Sequence, residues 1–408
     1  MSHPHRGDLQ WKVIRSVAGL DETPWDSLAH PSLYLSRSWL QARSRTVKAA
    51  ERFILLNGED GRPLASAPCY LSDRTAHPGY FPPRVMTVDC LEEEELRASK
   101  GDPKTVEQYR RSLRGEPGLW EPSFVVAAPG RYGGASFREG LGPESARLAR
   151  DSLIDAVERQ SRQDEAATVS WLYLFQGEDP LLEAALSARG YEDMILDAEC
   201  YLPLDQGSFD GYLSNFRAEY RRKIRYEMAA LDDSGAEVAM FGGEALGLEL
   251  ATLERQWRVK YGRTPPVEEI VADYRQLYEH MGDKLRVFVA HKDGKALGFS
   301  VFLEDGKTWY SRFGGFDYSA GNLFLYFNLL FYHPLRTMYE KKVEVARYSL
   351  KSYEAKRSRG CLLRHVLAYI KAPEGWPSLR PALELIDRAQ SARFAEISNR
   401  SITKDQAP

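Results

Sequence analysis

The sequence predicts a mixed α/β fold in which one domain plan is used twice. Two segments, residues 55–66 and 289–299, each contain an apolar strand, an Asp-Gly turn followed by a basic residue, and a second strand. Asp-Gly between apolar runs is a strong hairpin signal, because glycine takes the positive φ that tight hairpin turns require. Helical and strand-like segments alternate after the hairpin in each half, which is typical of a mixed sheet covered by helices.

Composition and charge exclude several classes of protein. The 408 residues are 43% apolar and 28% charged, as expected for a globular chain with real cores. The net charge of −3 argues against a chain that is basic all over, but leaves room for a local basic patch. We expect reduced thiols and neither a disulfide framework nor a metal site, because the cysteines are scattered. They are Cys69, Cys90, Cys200 and Cys361.

Neither a signal peptide nor a membrane span is expected. The start of the chain, residues 1–8, is polar and includes two histidines. The most apolar stretch, residues 324–335, is interrupted by Asn328, His333 and Pro334 and is too short to cross a bilayer. We therefore expect a cytoplasmic protein without membrane insertion.

The first half contains elements with recognisable ends. A helix is predicted to begin at Asp179-Pro180, an N-cap followed by proline, and to end at Gly190. Residues 129–134 form a glycine-rich loop whose backbone N–H groups could face an anion. The other predicted elements are strands at 9–16, 123–128, 169–175 and 199–204, and helices at 23–29, 36–48 and around the apolar positions Ala146, Ala149, Leu153, Ala156 and Val157.

The second half repeats this order after a short polar link at 205–208. Its predicted elements are a helix at 209–231, a strand at 237–241, helices at 244–260 and 266–281, the second hairpin, a strand at 308–313, the Gly314-Gly315 loop, a helix at 322–340, strands at 343–349 and 362–370, and an amphipathic helix at 381–396. We therefore predict domains at 1–204 and 205–375, followed by a helical tail at 376–408.

The stretch between residues 325 and 360 carries a resemblance to known proteins. It contains Leu-Tyr-Phe-Asn-Leu-Leu-Phe-Tyr-His-Pro-Leu from residue 325 and Lys-Arg-Ser-Arg-Gly from residue 356. With the order of hairpin, central strand and helix crossover, these motifs resemble the GNAT acyltransferase fold used twice, as in the Fem-type and peptidoglycan-biosynthesis-like aminoacyltransferases. The resemblance implies two GNAT-like domains in tandem and an enzyme that forms an amide from an activated acyl group and an amine.

Two positions depart from the pattern of these relatives. The usual acidic position in the helix is Asn328, and the usual histidine before the lysine is Ala355. The acid–base roles of those positions are therefore not carried over to this chain.

Lys356 and Arg359 are the predicted donor-binding residues. Beside Gly360, they suit a phosphate group, because arginine offers a planar fork of donors and lysine a point charge. An ordinary solvated loop is the alternative interpretation.

Three residues are candidates for catalysis. The phenol of Tyr332 can donate a proton to a leaving oxygen or hold a carbonyl, and a tyrosine that caps a core is the alternative interpretation. Arg312, at the end of a central strand, is predicted to face the cleft where GNAT-like sheets splay. Asp317 lies nearby in sequence and could polarise an incoming amine.

The predicted helix 209–231 carries a basic face. Arg217, Arg221 and Arg225 repeat at a spacing of four residues and have no acidic partner four residues on, whereas Glu219 and Glu227 can pair with a lysine. Like charges at this spacing repel by a few tenths of a kcal/mol per pair, roughly. The pattern indicates an external polyanion such as RNA or a phosphorylated carrier, and a solvated helix face is the alternative.

Together these observations predict an N-acyltransferase without a bound cofactor or metal. A neutral amine attacking an ester or thioester needs orientation and oxyanion stabilisation, and the sequence has no catalytic triad or zinc motif. Fem-type relatives imply aminoacyl-tRNA as co-substrate and a small-molecule or cell-wall amine as acceptor. The alternatives are an acyl-CoA-dependent GNAT acetyltransferase and a non-catalytic pair that binds RNA or a carrier.

Overall fold

The computed structural model describes residues 9–20, 22–72, 87, 103–115, 120–372 and 379–399. They belong to two compact units, and the chain passes between them three times, inside two strands and inside the last helix. Unit 1 contains residues up to 198 together with 365–395, and unit 2 contains residues 199–364 and those from 396 onward. Residues 365–372, which the sequence placed in the second domain, belong to unit 1 in the structure. Cys90, like the ends of the chain, lies outside the described residues.

The first half of the chain supplies seven strands and five helices among the described residues. The strands are β1 (Trp11–Ile14), β2 (Ala50–Asn57), β3 (Pro63–Ser72), β4 (Ser123–Val126), β5 (Ser136–Phe137), β6 (Thr168–Phe175) and β7 (Glu192–Pro203). The helices are α1 (Glu22–Asp26), α2 (Arg37–Arg43), α3 (Pro103–Gly115), α4 (Pro143–Gln163) and α5 (Pro180–Ala188). The predicted ends of α5 are confirmed, since Asp179 accepts a hydrogen bond from Leu182 N (3.0 Å) and Gly190 has φ +79°.

The second half follows the predicted order with three differences: the predicted Gly314-Gly315 loop is part of a strand, a short helix at 353–357 was not predicted, and one predicted helix is divided. Its strands are β8 (Glu237–Phe241), β9 (Leu285–Lys292), β10 (Lys295–Asp305), β11 (Thr308–Phe316), β12 (Val345–Leu350) and β13 (Leu362–Lys371). Its helices are α6 (Phe209–Asn215), α7 (Ala218–Asp232), α8 (Leu248–Lys260), α9 (Val267–Met281), α10 (Leu325–Phe327, continued by a π-helical turn at Asn328–Tyr332 and by His333–Glu340), α11 (Tyr353–Arg357) and α12 (Leu379–Ser398).

The divided helix is the predicted helix 209–231, which is two helices. Phe216 and Arg217 both adopt extended backbone, with ψ 155° and 154°. Phe216 is 1% exposed, so the break turns this ring into the core of unit 2. Burial of one large apolar side chain outweighs the few tenths of a kcal/mol that helix propensity contributes per residue, roughly.

Both units have the same succession of strand pairings. The order is β1-β2-β3-β4-β6-β13 in unit 1 and β8-β9-β10-β11-β12-β7 in unit 2. In each unit the fourth and fifth strands are parallel, and the other neighbouring pairs are antiparallel. The two Asp-Gly hairpins occupy equivalent places, with Gly61 at φ +73° and Gly294 at φ +76°. The predicted mixed α/β fold with one plan used twice is thereby confirmed.

Each unit takes its sixth strand from the other half of the chain. The first half ends in β7, whose residues 199–203 pair with β12 in unit 2. The second half ends in β13, whose residues 366–371 pair with β6 in unit 1. Without these partners β6 and β12 would each present an unpaired edge, so the exchange completes the strand pairing of each unit.

Fragments divided at the link between residues 204 and 205 should therefore fold poorly alone and recover structure together. Residues 1–204 lack β13 beside β6, and residues 205–408 lack β7 beside β12. We expect each fragment alone to be digested rapidly in limited proteolysis, and the co-expressed pair to resist like the intact chain. A lone 1–204 fragment as resistant as the full chain would contradict the exchange.

Candidate active site

The parallel strands β11 and β12 of unit 2 stay together for only part of their length. Their pairing covers Thr308 to Tyr310 against Val345 to Arg347, whereas β11 continues to Phe316 paired with β10. Strands that separate in this way leave backbone N–H and C=O groups along the opened edges for other partners. This opening is the place at which the sequence analysis expects the cleft.

The equivalent opening in unit 1 is filled by its own backbone. Pairing of β4 with β6 ends at Val126 and Trp171, and the loop 129–134 then lies against β6. Gly133 N donates to Tyr173 O at 3.0 Å, and a Cβ at Gly133 would lie 1.8 Å from Leu172 O. The predicted anion-binding loop therefore packs on a strand, and a cavity of about 290 Å³, lined in part by Gly133, Gly134 and Phe175, lies beside it. We place the candidate active site in unit 2, because the predicted residues Arg312, Asp317 and Tyr332 belong to that unit.

Arg312 occupies a β-bulge at this opening. Its neighbours Phe313 and Ser311 pair with the adjacent residues Val301 and Phe302 of β10, which leaves Arg312 as the extra residue. A bulge turns a side chain away from the regular alternation and is frequent beside active sites. Arg312 is half-buried and lies just beyond the last parallel pair of β11. Its role at the cleft stays a prediction.

Asp317 follows β11 directly and shapes the loop 317–324. Its Oδ1 accepts hydrogen bonds from the backbone N (2.8 Å) and Oγ (2.6 Å) of Ser319, and its own N donates to Leu297 O at 2.8 Å. Oδ1 of Asp317 is therefore occupied by the turn, so the predicted contact with an amine would use Oδ2.

Tyr332 and Arg359 meet in a cluster that is completely buried. Arg359 donates from Nη2 to Glu227 Oε2 and from Nε to Tyr332 Oη, both at 2.5 Å. Tyr332 donates its proton to Glu227 Oε2, and Phe327 lies 3.7 Å below the guanidinium. Glu227, Tyr332 and Arg359 are each at most 1% exposed. We call these three residues the buried triad.

The π-helical turn of α10 sets the geometry of this cluster. Asn328, at its start, donates from Nδ2 to Glu227 O at 2.9 Å and so joins α10 to α7. The position that is acidic in relatives therefore connects two helices here. Burial raises the pKa of Tyr332 well above its usual range, so the phenol keeps its proton at neutral pH.

The placement of the buried triad changes the expected role of two residues. Arg359 was predicted to hold donor phosphate, yet its side chain is 0% exposed and paired with Glu227. Tyr332 was predicted to reach substrate, yet its proton is directed at the same carboxylate. Both residues position helices in this structure, because neither presents a polar atom at the protein surface.

Lys356 also faces inward. Its ammonium group, 5% exposed as a residue, donates to the carbonyl oxygens of Tyr348 (2.6 Å), Leu350 (2.8 Å) and Ser349 (3.3 Å). Ser349 has φ +58°, a left-handed conformation that the three bonds hold in place. An ammonium has three donors, so this set uses all of them, and the predicted phosphate contact does not fit.

Glu227 is the residue that the sequence analysis missed. It was expected to pair with Lys223 on the surface of the helix, but it belongs to the triad. A signal was present, since Glu227 lies three residues after Ile224 and four before Leu231, both buried. A carboxylate on the apolar stripe of a helix requires a buried cation.

The three arginines that the sequence placed at a spacing of four residues, Arg217, Arg221 and Arg225, have different environments. Arg217 is the exposed N-cap residue of α7, and Arg225 is exposed on the helix. Arg221 is half-buried and donates to Phe216 O, closing the break between α6 and α7. Arg222 and Lys223 are exposed beside Arg225. We call the exposed residues Arg217, Arg222, Lys223 and Arg225 the basic face.

Two kinds of feature are absent from the part of the chain that the structure describes. No helix there has the length and apolar character to cross a membrane. No group of three or more His, Cys, Asp or Glu side chains there is arranged to hold a metal ion.

Replacing Arg359 with alanine should destabilise the protein strongly. The change leaves Glu227 charged, buried and unpaired, which costs about 3–5 kcal/mol of unfolding free energy in urea denaturation. Tyr332→Phe removes one hydroxyl and should cost about 1–3 kcal/mol. As control, the double variant Glu227→Met/Arg359→Met should recover most of the loss, whereas simple additivity of the single losses would contradict a buried pair.

Lys356→Met distinguishes a backbone-holding lysine from a phosphate ligand. We expect the unfolding free energy to fall by about 2–3 kcal/mol, since three carbonyls lose a charged donor, with the donor KM of the folded protein unchanged. Lys341→Met, at an exposed lysine, should change neither quantity. A raised KM at unaltered stability would restore the phosphate role.

Solved structures show the same fold at low sequence identity. FemX is 12% identical, with a TM-score of 0.57 over 93% of this chain and 100% of that chain. A conserved protein of unknown function from Bacteroides thetaiotaomicron is 11% identical, with a TM-score of 0.52 over 89% and 100%. The C-terminal domain of a putative lysylphosphatidylglycerol synthetase from Agrobacterium fabrum is 11% identical, with a TM-score of 0.50 over 89% and 92%.

The sequence itself matches one protein family. None of the curated proteins compared with it matches significantly. Residues 122–363, more than half of the chain, match the FemAB-like family, described as peptidoglycan biosynthesis/recognition. The predicted recognition is confirmed: the chain belongs to the FemAB-like family.

Proposed function

We propose that the protein transfers an aminoacyl group from aminoacyl-tRNA to the amine of a small-molecule or cell-wall-type acceptor. Membership of a family described as peptidoglycan biosynthesis/recognition supports an acceptor of this type. The basic face of α7 is the observation that supports aminoacyl-tRNA as the donor, because exposed arginines and a lysine on one helix suit a phosphate backbone.

The opening between β11 and β12 can support amide formation. The acceptor amine, in its neutral form, attacks the ester carbonyl of the aminoacyl group, and the carbonyl oxygen becomes an oxyanion. Backbone N–H groups on the opened edge of β11 and the charge of Arg312 would stabilise it. The C–N bond forms, the C–O bond to the ribose breaks, and the amine proton passes to the ribose oxygen.

The buried triad and Lys356 contribute indirectly to this reaction. They fix α7, α10 and the end of β12 around the opening, through contacts with protein groups only. Asp317 remains the candidate for orienting the amine, through Oδ2. The reaction then depends mainly on orientation and on preorganised backbone donors, which need no dedicated acid–base pair.

The basic face should determine RNA affinity and its dependence on salt. Arg222→Glu and Arg225→Glu should each weaken tRNA binding at low salt and reduce the slope of log affinity against log salt by about one unit. Arg147→Glu and Arg159→Glu, at exposed arginines on α4, are matched controls that should change little. An unchanged slope in the α7 variants would contradict the proposal.

Ribonuclease decides between the two donors. In a reaction supplied with amino acid, ATP, synthetase and tRNA, product formation should stop when ribonuclease is added. Turnover that continues after ribonuclease, or that needs only acyl-CoA, would establish the acyl-CoA reaction instead.

A further inference from the structure

Several tyrosine rings in unit 2 are exposed to a degree that packing does not explain. Tyr226 is 65% exposed, Tyr261 64% and Tyr318 50%. A tyrosine that contributes to a core buries most of its ring, so large exposed rings in one region indicate a surface that binds something.

These rings belong to one connected strip. Tyr226, next to Arg225 on α7, contacts Phe324 with ring centroids 5.7 Å apart. Phe324 and Tyr318 lie on the same loop 317–324 that follows β11. Lys260 Nζ lies 4.2 Å from the centroid of the Tyr318 ring.

The strip continues at the end of α8. Tyr261 follows Lys260 in sequence, and its ring lies 5.3 Å from that of the half-buried Trp257. Arg263, two residues further, is exposed. We call the set of rings the aromatic strip; it consists of Tyr226, Phe324, Tyr318, Tyr261 and Trp257.

Basic side chains alternate with the rings of the aromatic strip. Arg225 precedes Tyr226, Lys260 covers Tyr318, and Arg263 follows Tyr261. Aromatic faces interleaved with cations fit single-stranded nucleic acid, whose unpaired bases stack on rings while its phosphates contact the charges. A duplex does not match this surface, because its bases are stacked inside and offer no free faces to side chains.

We propose that the aromatic strip binds the unpaired 3′ end of the tRNA donor and leads it from the basic face to the opening between β11 and β12. The inference rests on the proposed function and adds a location and a mode of contact. The loop 317–324 connects the two places, since it begins directly after β11 at Asp317 and ends at Phe324 beside Tyr226.

The experiment compares two RNA probes on the full-length protein. One probe is an intact tRNA, and the other is the same tRNA trimmed of its single-stranded 3′ nucleotides. Tyr226→Ala and Tyr318→Ala should each weaken binding of the intact tRNA roughly 5- to 100-fold, as expected for loss of one stacked base. Binding of the trimmed tRNA should not change, because its remaining contacts are with the basic face.

Three variants serve as controls. Tyr226→Phe and Tyr318→Phe keep the ring and should bind intact tRNA like the wild type. Tyr278→Ala removes a tyrosine that is 48% exposed on α9, outside the strip, and should also bind like the wild type. Because the strip tyrosines are exposed, all variants should keep the wild-type melting temperature.

The outcomes separate the inference from the proposed function. Equal loss on intact and trimmed tRNA, or loss in the phenylalanine variants, would overturn stacking of the 3′ end while leaving tRNA binding intact. Wild-type protein that binds neither tRNA would overturn the donor proposal as well. Free CoA binding with the same dependence on Tyr226 and Tyr318 would assign the strip to an adenine nucleotide rather than to RNA.

Discussion

The buried pair of Glu227 and Arg359 determines how α7 is oriented. Transfer of both charges out of water is costly, and the pair offsets that cost only because each group is hydrogen-bonded, with Tyr332 between them. Rotation of α7 by one residue would expose Glu227 and bury part of the basic face. The pair therefore contributes specificity of orientation more than net stability, and it keeps the arginines outward.

The repeated order of hairpin, strands and helices could be predicted from the sequence, but the exchange of β7 and β13 between the units could not. Asp-Gly turns and alternating elements are local signals, so the sequence predicted both hairpins and the mixed sheet. The exchange of β7 and β13 depends on pairings between residues far apart in sequence, as between Val366 and Phe175. A strand pattern at 362–370 indicates a strand but carries no information about the sheet it joins.

The sequence identified residues that the structure brings together, but it did not predict where their side chains point. Tyr332 was predicted as a catalytic residue and Arg359 as a donor-binding residue, and the structure brings the two into contact. It placed Lys356 and Arg359 at the surface because cations are almost never buried without partners, and those partners come from other elements. Glu227 on α7 and the carbonyls at the end of β12 were the missing partners. The break at Phe216 was missed because no glycine or proline marks it.

The same order of strand pairings occurs in both units, but we place the candidate active site in unit 2 alone. In unit 1 the opening between the parallel strands is closed by Gly133, where the absence of a Cβ allows the loop to lie on β6. In unit 2, Gly314 and Gly315 lie inside β11 and pair with β10, and α8 packs against Gly315, with Leu253 O 2.8 Å from an added Cβ there. The loop that follows β11 leads past Asp317 to the aromatic strip. In both units a glycine therefore allows another part of the backbone to approach a strand near the point where the parallel strands separate.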